Sequence, residues 1–107
     1  MADTSQAAAW PKHTQTKRPL FPLGKVLATP GALAALEQHQ QSPLLYLVRH
    51  VMGDWGDLDA EDLRANNAAL VHGTRVLSSY RLKGAQRIWL ITEADRSATT
   101  LLLPEEY

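Results

Sequence analysis

The sequence predicts an α+β domain: a short N-terminal strand, three helices and a three-stranded antiparallel meander, with the helices packed on one face of a largely antiparallel sheet. In the first half of the chain, Pro twice follows a residue that caps helices, at Thr29-Pro30 and at Ser42-Pro43. From Thr74 onward the pattern becomes that of strands, and the links between them are too short for helical crossovers.

Length and composition indicate one domain without thiol chemistry. The chain has 107 residues and a mass of 11.8 kDa. Cysteine is absent, which excludes disulfides, a thiolate nucleophile and Cys-ligated metals. The apolar stretches are far shorter than the roughly 20 residues of a membrane span, and no signal-peptide pattern is present. We therefore expect a cytoplasmic protein without membrane contact, and no sequence motif indicates a cofactor.

The domain is predicted to begin after a polar arm. Residues 1–19 are interrupted by two Pro and are predicted to be disordered, whereas residues 20–107 form the α+β domain. Its first element is a short strand over residues 25–28. Pro22 cannot donate to a strand ladder, so it should precede this strand or lie on an edge.

Each of the three helices has a recognisable start. The first begins after Thr29 and ends near Gln40 or Gln41, the second follows Ser42, and Asp59 caps the third, which ends at Gly73. The second helix has apolar residues at helical spacing: Leu44, Leu47, Val48 and Val51. The inward-facing positions of the third helix are predicted to be Leu63, Asn67, Leu70 and Val71.

The meander strands are predicted over residues 75–82, 87–92 and 97–103. Pairing Leu82 with Arg87, and Thr92 with Ser97, places apolar residues on both faces of the sheet. Three helices can cover only one face. We expect the second face to be covered either by a second copy of the chain, as a homodimer, or by the N-terminal segment, through Trp10, Leu20, Phe21 and Leu23.

Although the net charge is zero, two neighbouring segments of the chain carry opposite charges. Residues 54–62 contain five acids and no base, and residues 63–92 contain five bases and no acid. The acids match the first positions of a calcium loop, but the sixth and twelfth positions are Asp62 and Ala68 rather than Gly and Glu. We therefore predict no metal site of that type.

His50 lies four residues before Asp54, a spacing that would suit a general-base pair. The same pair would equally satisfy a His at the end of a helix. The first interpretation leads to an alternative function, a metal-dependent enzyme that acts on nucleic acid or nucleotides through His50 and the acidic segment 54–62.

The first hairpin suggests a second alternative. Basic residues surround Tyr80 and Trp89 over the hairpin of residues 75–87, and aromatic and basic side chains on a sheet bind single-stranded nucleic acid in some folds. However, the chain has zero net charge and no RNP-like segment.

Several strings of residues are similar to those of a family of small bacterial proteins labelled plasmid-related. These strings are FPLG (21–24), TPGAL (29–33), RH (49–50), GDWGDL (53–58), ED (61–62), IWLITEADRSATT (88–100) and LLPEEY (102–107). The resemblance covers roughly residues 20–107. It implies an accessory protein of a plasmid or integrating element, and it implies no activity or catalytic residue.

The leading hypothesis is a non-enzymatic module that binds an unknown protein partner. Trp55 lies between glycine-flanked acids, where it either anchors the turn or forms a binding hot spot. The predicted interaction surface consists of Asp54, Trp55, Asp57, Arg75, Tyr80, Trp89, Glu93, Asp95 and Arg96.

Overall fold

A four-stranded mixed sheet organises the chain in the computed structural model, which describes residues 18–107. The strands are β1 (Lys25–Ala28), β2 (Val76–Arg81), β3 (Arg87–Thr92) and β4 (Ala98–Leu102). Their order is β1-β4-β3-β2. β2, β3 and β4 are antiparallel neighbours, and β1 runs parallel to β4.

Three helices lie between β1 and β2. They are α1 (Pro30–Gln38), α2 (Pro43–Val51) and α3 (Ala60–His72), and a short 3-10 helix (Pro104–Glu106) follows β4. The predicted caps are confirmed, because the side chains of Thr29, Ser42 and Asp59 each accept a backbone N–H from the following turn. Gly73 ends α3 in the left-handed conformation.

The α+β class is therefore confirmed, but the sheet differs from the predicted one. The short N-terminal strand is the fourth member of the sheet, paired in parallel with the last strand. Three helices and two strands lie between β1 and β4 in the sequence. A pairing over that distance leaves no local signal, so the mixed topology could not be predicted.

The predicted registers are also corrected. Tyr80 pairs with Ile88, whereas the predicted pairing of Leu82 with Arg87 would place it opposite Trp89. This slip of one residue exchanges the two faces of β2. Trp89 pairs with Leu102 instead of Thr100. This shift of two residues changes the cross-strand neighbours but leaves each side chain of β4 on the predicted face of the sheet. Both turns are longer than the four residues expected, since Arg81 pairs with Arg87 in the first hairpin and Thr92 with Thr99 in the second.

The core lies between α1, α2 and the inner face of the sheet. Leu23 and Ala28 pack against its larger cluster, which consists of Ala32, Ala35, Leu36, Tyr46, Leu47, Tyr80, Leu82, Ile88, Leu90, Leu101 and Leu103. Leu23 also packs against a second cluster, formed by Phe21, Val51, Trp55, Ala69 and Val76. Leu23 thus joins the two clusters into one apolar interior, to which α3 contributes Ala69.

Helix α3 runs beside the edge strand β2 instead of covering the sheet with the other two helices. Its buried residues are Asn66 and Ala69. Of the predicted inward positions, Leu70 packs half-buried against the second cluster, whereas Leu63, Asn67 and Val71 are exposed. The carboxamide of Asn66 bonds both backbone groups of Leu77 in β2, at 2.5 and 3.0 Å. A polar contact therefore sets the inner face of α3, which explains why apolar spacing mispredicts it.

The outer face of the sheet carries a mixture of half-buried and buried side chains, and Tyr107, which follows the 3-10 helix, packs against Trp89 on this face. The predicted arm of residues 1–19 lies outside the described residues except for Arg18 and Pro19. Within the described range, no helix has the length and apolar character needed to cross a membrane.

Candidate functional site

A groove opens on the outer face of the sheet where α3 begins. Its volume is about 250 Å³. Strands β2 and β3 form its floor, and the loop before α3 and the first turn of that helix form its wall. The lining residues are Asp57, Leu58, Asp59, Asp62, Leu77, Ser79, Arg87 and Trp89.

The loop that forms the wall is fixed to the edge of β2. The amide of Ser79 donates to the carbonyl of Trp55 at 3.0 Å, and the amide of Asp57 donates to the carbonyl of Ser79 at 2.6 Å. Gly56 lies between them with a φ of 77°, and a Cβ there would lie 2.1 Å from the carbonyl oxygen of Ser79. Only glycine permits this approach, so the GDWG sequence positions the acidic wall.

Two arginines neutralise the first acid of the wall. The carboxylate of Asp57 accepts hydrogen bonds from Arg87 at 2.9 Å and from Arg81 at 3.0 Å. The hydrogen bond from Arg87 is the largest cause that holds the pKa of Asp57 below its usual value. The carboxylate of Asp59 accepts the amide of Asp62 at 2.8 Å as the cap of α3.

The remaining acids of the wall are less engaged. Within residues 18–107, neither Glu61 nor Asp62 forms an ion pair, and both are exposed. Asp62 lines the groove together with Trp89 and Arg87. The groove thus combines the aromatic ring of Trp89 with the carboxylate of Asp62, which forms no ion pair among residues 18–107.

Trp89 extends this surface toward the end of the chain. Its ring meets that of Tyr107 edge to face, with centroids 5.7 Å apart. The guanidinium of Arg75 lies 5.5 Å from the Tyr107 ring centroid and also donates to the Tyr107 hydroxyl. Arg75, Tyr107 and Trp89 therefore form a continuous aromatic and basic strip beside the groove.

His50 lies on the opposite face of the sheet, fully buried. One ring nitrogen, Nδ1, is 2.6 Å from the Ser78 hydroxyl, and the other, Nε2, is 2.9 Å from the Thr92 hydroxyl. Thr92 is 2.7 Å from Thr99, which donates to the carbonyl of Leu23 at 2.8 Å. Because that carbonyl can only accept, Thr92 donates to Thr99, and His50 donates from Nε2 to Thr92.

This chain of hydrogen bonds makes His50 a neutral structural residue. Burial lowers its pKa to about 4, and the positive charge of Arg96 contributes in the same direction. The Ser78 hydroxyl donates to Nδ1, so both ring nitrogens are occupied inside the core. The predicted pairing of His50 with Asp54 does not form.

The nine predicted surface residues lie in separate places. Asp57 and Trp89 line the groove, and Arg75 adjoins it through Tyr107. Asp54 is exposed and pairs with Arg49 at 2.7 Å.

Trp55 and Tyr80 are interior residues. Trp55 is 6% exposed and stacks on Phe21, with ring centroids 6.2 Å apart. Tyr80 is 1% exposed, and its hydroxyl donates to the carbonyl of Asp54 at 2.6 Å. Both side chains hold the acidic loop onto the core. Of the two roles predicted for Trp55, this burial corresponds to the anchor of the turn.

Glu93, Asp95 and Arg96 form the turn between β3 and β4. Asp95 accepts the amide of Ser97 at 2.9 Å, and the backbone of Arg96 has a φ of 61°. The guanidinium of Arg96 donates to three backbone carbonyls, those of Thr74, Ala69 and Glu93, at 2.6 to 3.1 Å. Arg96 therefore fastens the turn to the end of α3, far from the groove.

Sequence reasoning did not place Leu77, Asp62 and Tyr107 at the site. Leu77 would have followed from the correct register, because strand parity places it on the same face as Trp89. Asp62 belongs to the acidic block already noted. For Tyr107 no sequence signal exists, since its contact with Trp89 depends on how the chain turns after β4.

Among residues 18–107, no group of three or more Asp, Glu or His side chains is arranged to hold a metal ion. Comparison of the chain with protein-family models, with curated proteins and with solved structures gave no match.

Proposed function

We propose that this chain is a non-catalytic protein-interaction module, whose groove on the outer sheet face receives a Lys or Arg side chain of a partner protein. The observation that carries this proposal is the position of Trp89 on the floor of the groove, with Asp59 and Asp62 in the facing wall.

Charge and aromatic character are complementary to such a side chain. A cation above a Trp ring gains electrostatic attraction, most strongly when it is partly desolvated. Asp62 supplies a carboxylate without a described partner, and half-buried Leu77 supports the aliphatic stem of a Lys or Arg.

The contacts of the basic hairpin favour this function over binding of single-stranded nucleic acid. Arg81 and Arg87 both donate to Asp57, so that carboxylate offsets part of the positive charge that would attract phosphates. The burial of His50 speaks against the metal-dependent enzyme, because a general base must reach its substrate.

The resemblance to plasmid-related proteins gives the biological setting of the proposal. A small accessory protein of a mobile element would act by occupying a surface of a host protein. This setting stays a prediction, and the proposed ligand of the groove does not depend on it.

Capture experiments with matched variants test the proposal. Tagged wild-type protein, Trp89→Ala and Asp62→Asn are used to capture proteins from an extract of the source cells, and the captured proteins are quantified by mass spectrometry. Val71→Ala is the control, because Val71 is 78% exposed near the other end of α3.

We expect a partner that wild type and Val71→Ala retain and that both groove variants lose by at least about tenfold. Replacing the Lys and Arg residues of the captured partner should have the same effect. Equal capture by all four proteins would contradict the proposal. Tight binding of an oligothymidine with steep salt dependence would instead favour nucleic acid as the ligand.

A further inference from the structure

The two edges of the sheet differ in whether their backbone groups are satisfied. At β2, Asn66 bonds the N–H and C=O of Leu77, and the loop bearing Trp55 and Asp57 bonds those of Ser79. Side chain and loop therefore close this edge against another strand, as edge strands usually require.

The edge at β1 is open. The amides of Lys25 and Thr29 donate to Ser97 and Leu101 of the β4 side, so odd-numbered residues of β1 point their backbone groups toward β4. The N–H and C=O of Val26 and Ala28 consequently point away from the sheet, and no residue among 18–107 bonds them. The side chains of Val26 and Leu27 are each 45% exposed.

We propose that β1 pairs antiparallel with β1 of a second copy, so that two four-stranded sheets join into one sheet of eight strands. This inference concerns the edge of the sheet, not its outer face, and is independent of the groove and its partner.

The outward backbone groups determine the register of this pairing. Val26 must face Ala28 of the second copy, which places Leu27 opposite its own counterpart on the two-fold axis. Four backbone hydrogen bonds then form between the copies. The two Leu27 side chains meet at the closely spaced, non-hydrogen-bonded position on the outer face.

Charges are complementary in the same register. Lys25 lies opposite Thr29 of the second copy, and the Thr29 hydroxyl donates to the carboxylate of Glu106 at 2.5 Å. Lys25 has no ion-pair partner within the described part of its own chain. Each Lys25 would therefore face the Glu106 carboxylate of the other copy, and no like charges oppose one another.

Cysteine cross-linking tests the register directly, because the chain has no native cysteine. At the Leu27 pair the Cα atoms would lie about 4.5 Å apart, within disulfide range. Lys25 is the matched control, exposed on the same strand and face, since its two copies would lie about 14 Å apart. We expect Leu27→Cys to form a covalent dimer under mild oxidation, at least about tenfold more than Lys25→Cys.

Sedimentation equilibrium of full-length protein, up to about 1 mM, tests the association itself. We expect a concentration-dependent monomer–dimer equilibrium that Val26→Pro abolishes and Val26→Thr retains. The amide of Val26 is not used inside the chain, so Pro should leave the fold intact, as edge strands allow. If Val26→Pro does not fold, Leu27→Lys, which opposes two ammonium groups at the axis, replaces it and should also be monomeric.

A monomeric wild type at the highest concentration would overturn the proposal, as would a dimer that Leu27→Lys leaves intact. Equal cross-linking of Leu27→Cys and Lys25→Cys would overturn the register. The groove variant Trp89→Ala should remain dimeric, which separates this proposal from that of the partner site.

Discussion

At the scale of single residues, His50 links stability to pH. It occupies the core without any exposure and reaches β2 and β3 through Ser78 and Thr92. Because the folded state keeps this imidazole neutral, the free energy of unfolding falls at any pH where the unfolded chain binds a proton that the folded chain cannot.

This arrangement predicts an acid-sensitive fold. The pKa of His50 is about 4 in the folded state against its ordinary value of 6.5, a difference worth about 3 kcal/mol. Between these values only the unfolded state binds the proton. The free energy of unfolding should therefore be highest above pH 6.5 and fall as the pH decreases toward 4.

Urea denaturation at a series of pH values measures this effect. His50→Gln should be less stable at pH 7 but should lose much less stability between pH 6.5 and 5 than the wild type. The exposed His72 provides the control, and His72→Gln should keep the full pH dependence. Identical pH slopes for wild type and His50→Gln would contradict the assignment.

Residue types alone could locate Asp57 and Trp89 but could not separate them from Trp55 and Tyr80. All four belong to the predicted surface, and two of them are buried. For Tyr80 the difference arises from the register of β2, because a shift of one residue turns Tyr80 inward. For Trp55 it arises from the docking of its loop onto β2, which places the ring against Phe21. An aromatic residue in a strand does not reveal its own face.

At the scale of elements, one carboxamide supplies the hydrogen bonds between α3 and β2, beside the apolar contact of Ala69 and Val76. Asn66→Ala would remove two hydrogen bonds and leave the backbone groups of Leu77 without a partner. We expect a loss of about 2–3 kcal/mol in the free energy of unfolding.

The chain offers a matched control in the neighbouring Asn67, which is exposed on the same helix. Asn67→Ala should change stability by no more than about 0.5 kcal/mol. Urea denaturation of the two variants gives the comparison. Equal losses would mean that the helix propensity of the position, and not the edge contact, determines the effect.

Elements whose signals are local were predicted well. The starts of all three helices depend on a cap and the turn that follows it, and each lies where the sequence places it. The hairpin registers and the partner of β1 depend on turn length and on pairing between distant segments, so they were not predictable. The inner face of α3 was mispredicted because its key side chain is polar.

At the scale of the whole molecule, the sheet separates the core from the proposed recognition surface. The inner face carries both core clusters, whereas the outer face carries the groove, Trp89 and the strip toward Tyr107. Substituting the same type of residue on the two faces should therefore change the free energy of unfolding by different amounts.

Two tryptophans make this comparison direct. Trp55→Ala removes a side chain packed between Phe21 and His50 and should lower the free energy of unfolding by about 3–5 kcal/mol. Trp89→Ala should cost at most about 1–2 kcal/mol, because its ring is half-buried and meets Tyr107 alone among the described aromatic rings. Thermal and urea melts measure both, and similar losses would contradict the division.

The parallel pairing of β1 with β4 also determines when the fold can form during synthesis. Thr29 and Glu106, which share a hydrogen bond, are 77 positions apart. At roughly 5–20 residues per second, a ribosome needs about 4 to 15 s to make that stretch. Throughout this interval β1 has no strand to join, and its apolar side chains remain exposed on the nascent chain. The sheet is therefore completed only as β4 emerges, so a nascent-chain chaperone would have its main opportunity before that moment.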